Sequence, residues 1–189
     1  MSHNGGAVFT MPELIPVLEK NDIERIVSAL GESISKDYKG RELVLIGVLK
    51  GAFIFLADLV RHLQIPVSVD FIRAASYGAG TSSSGTVRLT KEIETDITGK
   101  DVIIVEDIVD TGLTLARLID HLKRSKPRSV EICTMIDKHE RREVEIHAKY
   151  AGHRTHRGFL VGYGLDHNEA YRELPGIYHL KFQPKEGVP

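Results

Sequence analysis

Residues Leu43 to Leu49 read Leu-Val-Leu-Ile-Gly-Val-Leu, a run without a single polar side chain. An apolar run this short, bounded by polar residues, suits a strand covered on both faces, as strands of parallel sheets are. Val102-Ile103-Ile104-Val105 repeats the pattern, and Val130 to Ile136 reads as a further strand. Pro66 opens another over Val67 to Ala74, and Gly158 to Val161 reads as a short one. Helical spacing lies between them: Leu56, Leu59, Val60 and Leu63 share one face, and Leu115, Leu118, Ile119 and Leu122 share another within 111–124. An earlier helix carries Ile23, Ile26, Val27, Leu30 and Ile34, with Asn21 and Glu24 as its expected cap and Gly40 as its stop. Strand, helix, strand in this order predicts right-handed crossovers and an α/β fold. Its central sheet is mostly parallel and flanked by helices.

The chain has 189 residues, which predicts one domain over 1–189. Apolar residues make up 42% and charged residues 27%, enough for an ordinary core and against bulk disorder. Lys and Arg total 25 against 26 Asp and Glu, a formal net charge of −1. That balance excludes capture of nucleic acid by overall charge. One cysteine, Cys133, excludes an intrachain disulfide and a multi-Cys zinc site. No apolar run approaches the roughly 20 residues a spanning helix needs. Residues 1–10 read as a loose leader without the pattern of a signal peptide. A cytoplasmic protein that binds neither membrane nor nucleic acid is expected.

Two segments depart from the core pattern. Residues 76–86 hold four Ser, three Gly and two Thr, cannot hold themselves by burial, and are expected to be a mobile lid or a hairpin connection. The other runs from Val102 through Glu106, Asp107, Asp110, Thr111 and Gly112 to Leu115. Here an apolar strand is expected to end in two adjacent carboxylates, followed by a tight turn and a helix starting at Asp110-Thr111-Gly112. Ligands of open α/β sheets bind outside the carboxyl ends of the strands. A helix N-terminus there offers free N–H groups and partial positive charge, which suit a phosphate. Three carboxylates would repel a bare phosphate, so they are free for sugar hydroxyls, a Mg²⁺ ion or a proton.

This segment resembles the phosphoribosyl-pyrophosphate (PRPP) signature of the type I phosphoribosyltransferases. Three further blocks resemble the same family in the same order: Gly47-Val48-Leu49-Lys50-Gly51, Ser76-Tyr77-Gly78, and Val161-Gly162-Tyr163-Gly164-Leu165-Asp166 with Asn168, Glu169 and Arg172. The last block, with Lys138 upstream, is similar to the hypoxanthine-guanine branch. The resemblance implies that fold, with a small hood formed by about 156–189. It also implies transfer of the 5-phosphoribosyl group of PRPP to hypoxanthine or guanine, giving IMP or GMP and pyrophosphate, with Mg²⁺ as cofactor and a homodimer or homotetramer as the assembly.

Residue roles carried by the resemblance are as follows. Glu106 and Asp107 would hold the ribose hydroxyls, and Asp110 would take or give a proton at purine N7. Thr111, Gly112, Leu113 and Thr114 would cradle the 5′-phosphate. Leu113 stands where some relatives carry Lys, which implies weaker but not lost phosphate binding. Leu49, Lys50 and Gly51 would meet pyrophosphate, with the Leu49–Lys50 peptide expected cis, and Arg172 would grip the same group. Lys138 would donate to the purine 6-oxo group, Phe159 would stack on the ring, and the Leu160 backbone would bond its edge. Asp166 would border the purine pocket and, with Glu106 and Asp107, help hold metal. Ser76 and Tyr77 would hinge the lid.

Read without the resemblance, Lys138 beside His139-Glu140-Arg141-Arg142 is equally a solvated charged turn, and Phe159 an ordinary core aromatic. His147, His153 and His156 lack Cys or acidic partners at ligand spacing. Gly80 to Gly85 is followed by Thr86 rather than Lys, so it is not a P-loop, and Gly78 to Ser83 does not open a helix. Two alternatives remain beside the leading reading: a xanthine-preferring transferase, and a nucleotide-sensing regulator on the same fold.

Overall fold

The computed structural model describes residues 12–76 and 87–182. The chain forms β1 (Glu13–Leu18), α1 (Lys20–Asp37), β2 (Leu43–Val48), α2 (Phe53–His62), β3 (Val67–Ser76), β4 (Val87–Lys91), β5 (Asp101–Val109), α3 (Leu113–Lys123), β6 (Ser129–Lys138), β7 (Tyr150–Thr155), β8 (Leu160–Val161) and β9 (Ile177–Lys181). Six strands make the main sheet in the order β4-β3-β2-β5-β6-β7. All its pairs are parallel except β3 with β4. The antiparallel sheet β1-β9-β8 forms a separate hood.

The apolar strands are covered on both faces, as their composition predicts. Leu43 and Leu45 of β2 and Ile103 and Val105 of β5 join a core built with α1, α2 and hood residues. Val44, Ile46, Val102 and Ile104 point the other way, into a second core under Leu115, Leu118 and Leu122 of α3. Cys133 lies in β6 opposite Val105, fully buried, and burial pushes its thiol far above the usual range.

Several boundaries differ from the sequence expectation. Helix α1 starts at Lys20 rather than after Asn21: the Glu19 N–H donates to Asp22 at 3.0 Å, so the cap pair sits two residues earlier, at 19 and 22. Helix α2 ends before Leu63, and Phe55 joins its buried face. β6 runs to Lys138, so that lysine ends the strand rather than following it. The strand expected over 158–161 is only Leu160–Val161, because Gly158 takes φ +107°. β1, β7 and β9 escaped the sequence reading: each is short and only half-buried, so none shows the two-faced apolar run.

The lid expectation touches the structure at one residue. Ser76 ends β3, which pairs with β4 as the arms of a hairpin. Tyr77 and the rest of 77–86 lie outside the described residues, as does the 1–10 leader.

β2 connects through α2 to β3 on one side of it, whereas β5 lies on its other side and connects onward to β6. The loops after β2 and β5 therefore leave the sheet in opposite directions. The gap between them, at the carboxyl ends of two central strands, is where an open α/β sheet takes its ligand.

Candidate active site

Sheet register assembles the site. The β2–β5 pairing ends with Gly47 beside Val105, and the turn that leaves β2 brings Gly51 against Asp107 near the end of β5. The approach is so close that a Cβ on Gly51 would run into the Asp107 carboxylate. The Leu49–Lys50 peptide just before it is cis. Parallel pairing of β5 with β6 sets Val109 beside Asp137. The next residues on each chain, Asp110 and Lys138, thus meet: Lys138 Nζ lies 3.8 Å from Asp110 Oδ1.

One expectation is corrected here. Glu106 and Asp107 do not end β5: the strand continues to Val109 because the ladder with β6 persists through Ile108 and Val109. In the sheet end Asp107 is consequently buried and Glu106 half-buried, facing a cavity rather than solvated in a turn. Burial, with the adjacent Asp107 carboxylate, holds the Glu106 carboxyl well above the usual carboxylate range. Burial also raises Asp107, against the pull of hydrogen bonds from Glu106 and from the Ile108 N–H at 2.8 Å.

The turn after β5 therefore falls on Asp110, Thr111 and Gly112, and α3 starts at Leu113 rather than at Asp110-Thr111-Gly112. Gly112 is the residue before the helix and has φ +83°, a left-handed conformation that glycine adopts without penalty. No side chain caps the helix at Gly112.

Two cavities open here, of about 250 Å³ and about 210 Å³. The first is lined by Leu49, Glu106, Thr111, Gly112 and Thr114. The second is lined by Asp107, Lys138, Phe159, Leu160 and Asp166. Ile108 and Asp110 line both. Asp110 Oδ1 is buried and has no hydrogen-bond partner among the described residues, with only the 3.8 Å ion pair to Lys138 beside it. Such an atom in a cleft awaits a donor.

The second cavity settles both plain readings of its lining. Lys138 is 6% exposed, not a solvated turn residue, and its ammonium faces Asp110 and, at 3.4 Å, Glu140. Phe159 is 48% exposed, not a core aromatic, and presents its ring beside His167 in an edge contact of 5.2 Å.

Arg172 and Lys50 meet on one acidic pair. Arg172 donates to Gly164 O at 2.7 Å and pairs with Asp166 at 2.8 Å, and Lys50 pairs with Glu169 at 2.9 Å. Arg172 also reaches Glu169 at 3.4 Å. Glu169, quoted in the sequence block without a role, thus bridges the two cations. Asn168, Glu169 and Tyr171 all take positive φ, which folds this loop back over the Gly51 turn. Charged residues the sequence reading passed over are Arg141, 3.5 Å from Asp110 Oδ2, and Arg142. Their signal is the charged run 138–142, which by sequence alone is equally a solvated turn.

Among the described residues no group of three or more His, Cys, Asp or Glu gathers as a metal cage. No helix among them is long and apolar enough to cross a membrane.

Residues 17–168 match the model of the phosphoribosyl transferase domain family. The chain belongs to this family. Among curated phosphoribosyltransferases it is 46% identical over 166 residues to the hypoxanthine-guanine phosphoribosyltransferase of Aquifex aeolicus, covering 87% of this chain and 93% of that one. It is 44% identical over 165 residues to the enzyme of the same name from Staphylococcus aureus, covering 87% and 92%. A crystal structure of a Bacillus anthracis hypoxanthine-guanine phosphoribosyltransferase superposes with a TM-score of 0.84 at 46% identity, covering 89% of this chain and 99% of that one. The single α/β domain with its central sheet is thus the phosphoribosyltransferase fold, and the chain is an enzyme of that class.

Proposed function

We propose that this phosphoribosyltransferase transfers the 5-phosphoribosyl group of PRPP to hypoxanthine or guanine, giving IMP or GMP and pyrophosphate, a purine-salvage reaction. The observation that carries the reading is Asp110, shared by a cavity bordered by a helix N-terminus and a cavity bordered by a buried lysine and an exposed aromatic ring. A nucleotide has the same layout, with phosphate at one end, base at the other and the reacting carbon between.

In this reading Thr111 to Thr114 hold the 5′-phosphate through the open end of α3. The Glu106 and Asp107 carboxyls take the ribose hydroxyls. Phe159 stacks on the purine and the Leu160 backbone bonds its edge. The Lys138 ammonium can only donate, so it meets a 6-oxo group and leaves a 6-amino group unpaired. Displacement breaks the bond from the anomeric carbon to pyrophosphate oxygen and forms one to purine N9. Asp110, whose Oδ1 lacks a donor, takes the proton that the purine loses at N7. Lys50, Gly51 and Arg172 receive the pyrophosphate. Before it arrives, Asp166 and Glu169 occupy the two cations, which keeps them paired at the mouth of the cleft.

The donor set fits Mg²⁺. Asp107 and Asp166 line the same cavity, and two hard carboxylates completed by substrate oxygens are its usual setting. Asp107 and Asp166 would hold the ion, which would supply charge neutralisation for the leaving pyrophosphate. Glu106 lines the neighbouring cavity, so its part falls to the ribose rather than the metal. The working assembly is proposed to be a homodimer or homotetramer in the cytoplasm.

Purified protein with Mg²⁺, PRPP and each of hypoxanthine, guanine, xanthine and adenine tests the reading by mononucleotide formed. Product with hypoxanthine or guanine supports it. Product with xanthine alone replaces it by the xanthine-preferring reading, and no product with any base ends it.

A further inference from the structure

One side chain of the charged run binds both halves of the site without lining either cavity. The Arg142 side chain is 13% exposed. Its Nε donates to the Asp110 carbonyl at 2.9 Å and its Nη1 to Ile146 O at 3.0 Å. Its Nη2 donates to Val109 O at 3.1 Å, to Lys138 O at 2.9 Å and to the Asp137 carboxylate at 2.6 Å. The guanidinium therefore sits across the divergent ends of β5 and β6, at the residues where their ladder stops. The backbone after it reinforces the grip, since the N–H groups of Glu143 and Val144 both donate to Thr111 O, at 3.0 and 3.2 Å.

We infer that Arg142 is a positioning residue that fixes the distance between the proton-accepting carboxylate of Asp110 and the base-reading ammonium of Lys138. The inference rests on the function proposed above. Its physical basis is that the strand ladder fixes the two chains only as far as Val109 and Asp137. Asp110 and Lys138 lie one residue beyond: β7 still pairs with Lys138 at Thr155 on its far side, but no ladder pair ties it to Asp110. A planar fork with five donors can hold both backbones and the Asp137 carboxylate at once, which a lysine, with its single ammonium, cannot. The purine must touch Lys138 and Asp110 together, so a shift between them misplaces the proton acceptor whenever the 6-oxo group is held.

Arg142→Lys and Arg142→Gln test this by kinetics and by amide hydrogen exchange. In Arg142→Lys, kcat is expected to fall about 100-fold, the cost of a misplacement near 1 Å. KM for PRPP should rise less than kcat falls, because the 5′-phosphate is held at the end of α3 and does not depend on the Asp110–Lys138 distance, and discrimination against adenine should drop about tenfold. Exchange should rise together at the amides after Asp110 and after Lys138 and stay unchanged in β2. A proportionate loss of PRPP affinity and turnover with selectivity unchanged would mark Arg142 as a general stabiliser and overturn the inference. So would faster exchange in only one of the two loops, or in neither. If the native protein makes no nucleotide, the proposed function fails, and the exchange measurement still decides whether Arg142 couples the loops.

Discussion

The Asp107 carboxylate fills the space into which any side chain on Gly51 would project. A loop expected to meet pyrophosphate and an acid expected to meet ribose are thus in direct contact. Gly51→Ala should displace Asp107, because its backbone is fixed in β5 and only its side chain can yield. Activity at low PRPP should fall about 100-fold while the melting temperature changes little. Steady-state kinetics beside a thermal melt check this, and unchanged kinetics would remove Asp107 from the site.

Asp110→Asn keeps the shape of the side chain and removes its basicity. Turnover should fall about 10²–10⁴-fold, the usual contribution of a positioned proton acceptor. PRPP affinity, measured by calorimetry, should shift far less. Equal losses in both would contradict a proton role.

Lys138→Gln replaces a donor-only group with one that can also accept. Rejection of adenine should relax by about 1–3 kcal/mol. The ratio of kcat/KM for hypoxanthine to that for adenine reads the effect. An unchanged ratio would place Lys138 away from the base.

Glu106 links the site to stability. Its folded carboxyl is held well above the usual range, so the folded chain keeps a proton that the unfolded chain releases near pH 4.3. Between that pH and the raised folded value the native state binds more protons, and wild-type stability falls as pH rises. Glu106→Gln is neutral in both states and escapes this loss. Urea unfolding should show the variant gaining on the wild type from pH 4 to pH 8, and a constant difference would argue against a protonated Glu106.

The two-faced sheet was readable because β2 and the Val102–Val105 stretch of β5 carry no polar side chain, a pattern few other elements produce. The hood was not, since β1 buries one residue of six and β9 two of five, and they carry Pro16, His179 and Lys181 among them. Within the site, the signature around Asp110 was legible because strand, acid pair, glycine and helix follow one another in the chain. Arg141, Arg142 and Glu169 were not: their roles depend on which backbone lies opposite, and sequence order does not carry register. The true extent of β5 was hidden for a related reason. Glu106 and Asp107 look like strand terminators until the ladder to Thr134 and Ile136 is seen to carry on past them.

Cys133 adds a practical consequence. As the chain's sole sulfhydryl, sealed in β6 between β5 and β7 within one core and held as the neutral thiol, it is closed to alkylating reagents and peroxides while the sheet is intact. Its labelling rate therefore clocks opening of the domain centre, a built-in reporter of unfolding that requires no engineered probe.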